Sequence, residues 1–454
     1  MSFGSIYFIL IFLPIFLIVV RNVPIWAQKA VVILGGLLFY VLNAGVWGAA
    51  IPLTTAVNYL VHRHVSAIPP DGRDAAANES NRRKKNAWTA AVIAFDVMVL
   101  AAAKISGFMP LGISFFIFQM ISLMADVKDE KLGLKDFCLA SMFFPKLIMG
   151  PMVRYSDLKK PLLAAERQYM VRPDGLERGL KLYTAGLFMK VVLADNLATL
   201  WNAISIAGAY GLATPTAWLG AVGYSLELYL DFWGYSLMAV ALGLMLGLPL
   251  PENFNEPYSA AGVGEFWRRW HVTLGTWFRD YVYVPLGGNR RGRLVTVRNL
   301  FVVWMLTGLW HGITVNYLIW ATFLFVFIVL ERYTPLGRLA RARVIGNAYT
   351  AIVIVISWVI FAISDPTQLP VYLKCLFGVY SEGASPSLAQ FYRLLRTYWY
   401  LIAAGIFFAT PLPRRIYDRH SGKNWFILPL LVMLVLSTFF MLHNENNVFM
   451  YYAF

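Results

Sequence analysis

Two histidines carry most of the chemistry legible in this chain. His311 stands in Gly308-Leu309-Trp310-His311-Gly312, and His271 follows Trp267-Arg268-Arg269-Trp270. An imidazole has an unperturbed pKa near 6.5, so it can take and return a proton at working pH. His311 lies inside an apolar run, 299–330, long enough to enter a bilayer twice. An ionisable group at membrane depth costs roughly 2.5 kcal/mol or more for the charged types, which marks it for function. Gly308, Gly312, Thr314 and Asn316 around it predict irregular, polar-lined backbone, which membranes tolerate only where protein or water covers it. His271 sits beside Trp270 in a seam that the surrounding aromatics would bury.

Glu227 and Asp231 are four residues apart, hence on one helix face. Two carboxylates there need water, a cation or a basic partner, and Lys190 is the candidate; a purely structural polar network is the other reading. Asp96 and Lys104 either pair structurally or reach toward the interface. His62, His64, His420 and His443 read as solvated or interfacial. There is no HExxH, no CxxC and no P-loop, so no metal site and no tightly bound cofactor is expected. Cys138 and Cys375 fit neither a disulfide framework nor a zinc site. The turn Pro285-Leu286-Gly287-Gly288-Asn289-Arg290, with basic flanks, could approach a phosphate.

The elements that must position these groups are membrane helices. Of the 454 residues, 59% are hydrophobic and 14% charged, too little charge to cover a soluble protein of this size. Continuous apolar runs argue against a β-barrel. Twelve spans are predicted: 5–20, 30–44, 46–62, 87–105, 109–125, 179–196, 217–249, 297–312, 313–330, 347–363, 397–411 and 425–442. The first has neither a basic residue before it nor a small-x-small site after it, and reads as a retained helix, not a signal peptide. The net charge of +15 falls in loops 62–86, 153–178, 288–298, 331–346 and 412–424, which the positive-inside rule places in the cytoplasm, with both termini outside. That distribution speaks for the lipid bilayer and against nucleic acid as partner. Segment 137–152, broken by Pro145 and Pro151, reads as re-entrant. Segment 263–284 alternates aromatics and charges at helical spacing and reads as one amphipathic interfacial helix. The expected fold class is therefore an all-α polytopic membrane protein of about 11–12 transmembrane helices with re-entrant and amphipathic helices. It forms a single domain, 1–454, with a flexible cytoplasmic loop at about 63–86.

Five segments together resemble the membrane-bound O-acyltransferase (MBOAT) family. They are Phe143-Phe144-Pro145 with Gly150-Pro151 and Arg154; Leu228 to Ser236; Pro251-Glu252-Asn253-Phe254-Asn255-Glu256-Pro257-Tyr258; Glu265 to His271 running on to Arg279-Asp280-Tyr281 and Gly287-Gly288-Asn289-Arg290; and Gly308 to Gly312. The aromatic run 448–454 is similar to the family's tail. The nearest likeness is to the bacterial branch that contains the membrane subunit of alginate O-acetylation. The chain departs from it where Leu237 replaces an acidic residue and Glu227 replaces Gln.

The resemblance implies an O-acyltransferase of the bacterial inner membrane built around a central tunnel. His311 would be the catalytic histidine and His271 the second essential one. The donor would be acetyl-CoA or another cytoplasmic acyl thioester, and the acceptor an extracytoplasmic hydroxyl. A periplasmic or extracellular acyltransferase and polysaccharide-pathway proteins would be its partners. Asp231, Glu227, Trp267, Trp310, Asn316 and Asn253 are the substrate or tunnel candidates, and Arg268, Arg269 and Arg290 the donor-binding ones. Two rival functions use the same polar residues: D-alanyl transfer to teichoic acid from a carrier-protein thioester, and a proton-coupled transporter using Glu227, Asp231, Lys190 and His311. A scaffold for an envelope complex is a third reading.

Overall fold

A computed structural model describes residues 2–69, 75–107, 109–205, 211–380 and 386–443. Every regular element among them is helical. Each of the twelve predicted spans overlaps helix, but 46–62 and 397–411 fall on helices that lack the combined length and hydropathy of a crossing. Eight of these helices are long and apolar enough to cross a membrane, and Phe8–Asn22 and Ile113–Asp126 are shorter apolar ones. The protein is an all-α, multi-pass membrane protein. Residues 70–74 of the expected flexible loop and the aromatic tail 448–454 lie outside the described residues.

The chain packs as two compact units. One holds the residues up to Tyr183 together with Tyr235–Glu252, and the other Thr184–Gly234 together with everything from Asn253 on. The first unit contains α1 (Leu13–Asn22), α2 (Ile25–Ala44), α3 (Ala50–Ala67), α4 (Ala75–Ser106), α5 (Ile113–Asp126), α6 (Leu134–Met142) and α7 (Tyr155–Ala164). Much of 62–86, read from sequence as a loop, is helix. α3 continues to Ala67 and α4 begins at Ala75, where alanines of high helix propensity and the pairs of Glu79 with Arg82 and Arg83, at 2.5 and 2.8 Å, support the first turns. The proline-broken segment 137–152 is buried: Phe144 stands among Phe3, Phe8, Phe12, Phe16 and Phe39, with ring centroids 5.3–6.5 Å away. Asp96 is buried and accepts a 2.8 Å hydrogen bond from Asn58.

α8 (Pro173–Phe188) leads through a π-helical turn, Met189–Ala194, into α9 (Asp195–Ser205), and α10 is Thr214–Met245. In the second unit follow α11 (Val263–Arg269), α12 (Val272–Phe278), α13 (Arg293–His311), α14 (Val315–Tyr333), α15 (Leu336–Arg341), α16 (Arg343–Ala362), α17 (Gln368–Leu376), α18 (Leu388–Ala409), α19 (Leu412–His420) and α20 (Ile427–His443). The expected single helix over 263–284 is three pieces: α11, α12 and a π-helical turn at Arg279–Tyr283. The break falls at His271, whose φ of 44° and ψ of 51° put it in the left-handed region. Its cause is non-local. Asn255 N–H donates to the Arg269 carbonyl and Val272 N–H to the Asn253 carbonyl, both at 2.9 Å, so the 253–255 segment takes backbone bonds that a continuous helix would use.

The hairpin of α13 and α14 appears as predicted, and Gly308 lets it close. A Cβ there would lie 2.9 Å from the Tyr317 carbonyl oxygen and 3.0 Å from the Ala321 Cβ. Close small-residue contacts are how membrane helices associate. Gly308→Val is expected to push the hairpin apart and lower the thermal midpoint in detergent; overpacking of this kind costs about 1–3 kcal/mol. An unchanged midpoint would show that the contact does not hold His311 in place.

Candidate active site

His311 ends α13 and is 5% exposed. Four rings surround it: Trp310 at 4.7 Å, Trp320 and Phe361 edge-on at 5.1 Å, and Tyr317 at 6.2 Å. α13, α14 and α16 each contribute to this cage. Asn316 fastens two of its walls. Its amide donates to the Phe361 carbonyl at 2.9 Å, satisfying a carbonyl that the end of α16 leaves unpaired, while Thr314 donates to its oxygen at 2.6 Å. The structure thus gives this substrate candidate a structural task.

His271 is 3% exposed. Its Nδ1 lies 2.8 Å from Asn253 Oδ1, the oxygen to which Thr273 also donates at 2.8 Å. An amide oxygen only accepts, so Nδ1 carries the proton and Nε2 is the basic nitrogen. Burial pushes the His271 pKa down to about 3, which keeps the ring neutral at physiological pH. Phe232 of α10 packs edge-on at 4.8 Å. Asn253, another substrate candidate, is the group that selects this tautomer. Trp310 touches both histidines, at 6.2 Å from His271 and 4.7 Å from His311. Trp267 packs at 5.1–5.7 Å against Trp304, Trp320 and Trp358, joining the wall behind His271 to that behind His311.

Asn253→Asp would set a carboxylate on the His271 Nδ1–H and stabilise the imidazolium. The folded pKa would rise from about 3 toward the usual range. His271 would then charge at a higher pH, and the acid limb of the pH–rate profile is expected to move up by a unit or more, on the order of the shift a nearby opposite charge produces. A profile superimposable on wild type would remove Asn253 as the tautomer-setting group.

The other candidates divide. Asp231 pairs with Lys190 at 2.8 Å, and Lys190 also reaches Asp195 at 2.5 Å. Glu227 lies one turn earlier on α10, buried and within Coulombic reach of all three. These groups form a network of their own. Arg269 is occupied internally, by Glu265 at 2.5 Å and Ser259 at 2.7 Å, and braces the 256–270 segment. Arg268 and Arg290 are exposed. The Pro285–Arg290 turn is set by Asn299, whose amide donates to the Gly288 carbonyl at 2.9 Å. Sequence reasoning missed Asn299, and also Asn347 and Glu331, which hold the 259–264 segment. No local pattern marks them. Among the described residues no three His, Cys, Asp or Glu side chains gather to hold a metal.

Two buried histidines across one tryptophan, in a membrane helix bundle, fit proton transfer in a water-poor site. The family model for the membrane-bound O-acyltransferases matches residues 88–366, which include both histidines and their cages. The chain belongs to the membrane-bound O-acyltransferase family. It is 34% identical over 377 residues to the protein named "Probable alginate O-acetylase AlgI" from Pseudomonas fluorescens, covering 80% of this chain and 72% of that one. Its identity to the protein of the same name from Azotobacter vinelandii is 30% over 457 residues, 91% and 87% of the two chains. The "Peptidoglycan O-acetyltransferase" of Helicobacter pylori is 32% identical over 303 residues, 60% of this chain and 57% of that one. The "Teichoic acid D-alanyltransferase" of Bacillus subtilis is 31% identical over 228 residues, 47% and 56%. This MBOAT protein is an O-acyltransferase.

Proposed function

We propose that this protein moves an acetyl group from a cytoplasmic thioester, such as acetyl-CoA, to a hydroxyl presented outside the bacterial inner membrane. The acceptor is carried by a cell-surface polysaccharide or by a periplasmic acyltransferase partner that serves it. His311 acts as general base. It takes the proton of the acceptor hydroxyl as that oxygen attacks the thioester carbonyl. The C–S bond then breaks, and the departing thiolate receives the proton back from the imidazolium. His271, with Nδ1 held by Asn253, offers Nε2 to orient the reacting groups. The tryptophan and phenylalanine cage keeps water out, which strengthens electrostatic stabilisation of the tetrahedral oxyanion and prevents hydrolysis of the thioester. Arg268 and Arg290 are the exposed cations suited to the donor's phosphates.

The observation that carries this reading is the pair of buried histidines meeting at Trp310 within the matched family region. Acetyl is preferred over D-alanyl because the relatives named as acetylases cover more of the chain than the D-alanyltransferases do. The test is transfer of label from acetyl-CoA in membranes carrying the full chain together with candidate partner proteins and glycans. Labelled ester on a partner or glycan, dependent on the chain, supports the proposal. Label from a D-alanyl carrier protein and none from acetyl-CoA would replace it with the D-alanyl reading.

A further inference from the structure

His271 is held from one side by Asn253, but the start of the short helix leading to it is fixed from another part of the chain. Glu331 lies in the last turn of α14. One oxygen of its carboxylate accepts the Val263 N–H at 2.6 Å and the other the Gly264 N–H at 2.9 Å. These are the first two residues of α11. A carboxylate on backbone amides makes hydrogen bonds roughly twice as strong as neutral ones. The two oxygens fix the position and direction of α11, which is only about 10 Å long at 1.5 Å per residue. Trp270 and the left-handed His271 follow at its far end. α14 also carries Trp320 and Tyr317, two walls of the His311 cage. One helix therefore touches the surroundings of both histidines, through Trp320 near its start and Glu331 near its end. Asn347 of α16 adds a second tie, donating to the Ser259 and Ala260 carbonyls at 2.9 Å each.

We propose that Glu331 is a positioning residue for acyl transfer, setting the placement of His271 relative to His311 through its bonds to Val263 and Gly264. The proposal rests on the reading of both histidines as parts of the transfer site. A misplacement of about 1 Å can cost about 10²-fold in rate.

The experiment compares Glu331→Ala, Glu331→Gln and His271→Gln with wild type, full-length and in membranes, at matched amounts of folded protein. Initial rates are read against donor concentration with labelled acetyl-CoA. Glu331→Ala is expected to lower kcat by about 10- to 100-fold and leave the donor KM within about threefold. Glu331→Gln keeps one accepting oxygen and should recover part of that loss. His271→Gln should be as impaired as Glu331→Ala or more so. A kcat for Glu331→Ala within twofold of wild type, with His271→Gln inactive, overturns the positioning role alone. So does a Glu331→Ala defect seen only as a lower yield of folded protein, with the rate per folded protein unchanged. Full activity in His271→Gln would bring down both the proposal and the two-histidine reading beneath it.

Discussion

His311→Gln is expected to lower the acyl-transfer rate by about 10²- to 10⁴-fold, the contribution of a positioned general base, with little loss of folded protein. Glutamine is close to histidine in size and neutral, as a working general base is before it acts. The cage of Trp310, Trp320, Phe361 and Tyr317 would close around it with modest rearrangement. What is lost is a nitrogen able to accept the hydroxyl proton and release it to the leaving thiolate. Initial rates with labelled donor at matched folded protein give the answer. A rate within threefold of wild type would remove His311 as the base and shift that role to His271, whose Nε2 is the basic nitrogen while Asn253 holds its other side. Comparison with His271→Gln then separates a base from an orienting group: a base lowers kcat whatever the acceptor, whereas an orienting group has an effect that varies with acceptor shape.

These features are unequally legible in the sequence for a physical reason. Hydropathy is local, so the eight helices long and apolar enough to cross a membrane could be found, including the α13–α14 hairpin that bends at Gly312 next to His311. The aromatic periodicity of 263–284 runs on through Trp270 and His271, so it reads as one helix. The break comes from backbone bonds made by Asn253 and Asn255, which no window over 263–284 contains. Asn316 and Arg269 stand out in the sequence as polar groups beside apolar ones, but their partners do not: one donates to a helix-end carbonyl and the other to a neighbouring carboxylate. Glu331 and Asn347 were invisible because their partners lie 68 and 88 residues away. The pairing of Lys190 with Asp231 was readable, since a buried acid in an apolar helix demands a cation and few are on offer. Asp195, the third member, was not: it looks like an ordinary residue in the first turn of α9.

That network supports the second large effect. Lys190→Met is expected to destabilise the folded protein by about 3–5 kcal/mol, because breaking a buried pair leaves an uncompensated buried charge. Lys190 sits between Asp231 at 2.8 Å and Asp195 at 2.5 Å, and Glu227 adds a third carboxyl within Coulombic reach. Without the ammonium, the carboxylates repel one another in a medium that cannot solvate them. The π-helical turn carrying Lys190 is pressed close to α10 as well. A Cβ on Gly234 would lie 2.6 Å from the Gly186 carbonyl oxygen and 3.1 Å from the Lys190 backbone nitrogen, so α10 has little freedom to open and admit water. The loss would be read as a lower thermal midpoint in detergent and a lower yield of monodisperse protein. Asp231→Asn together with Asp195→Asn in the Lys190→Met background should restore most of it, since a neutral buried set no longer needs the cation. An unchanged midpoint for Lys190→Met alone would show that the ion pairs do not bind α10 to the π-helical turn. Activity should fall along with stability. At 100° per residue, Tyr229 and Phe232 lie on another face of α10 from Asp231, and there they pack against Trp270 and His271. The helix that the ion pairs hold from one side forms a wall of the His271 pocket on the other, so loosening the first releases the second.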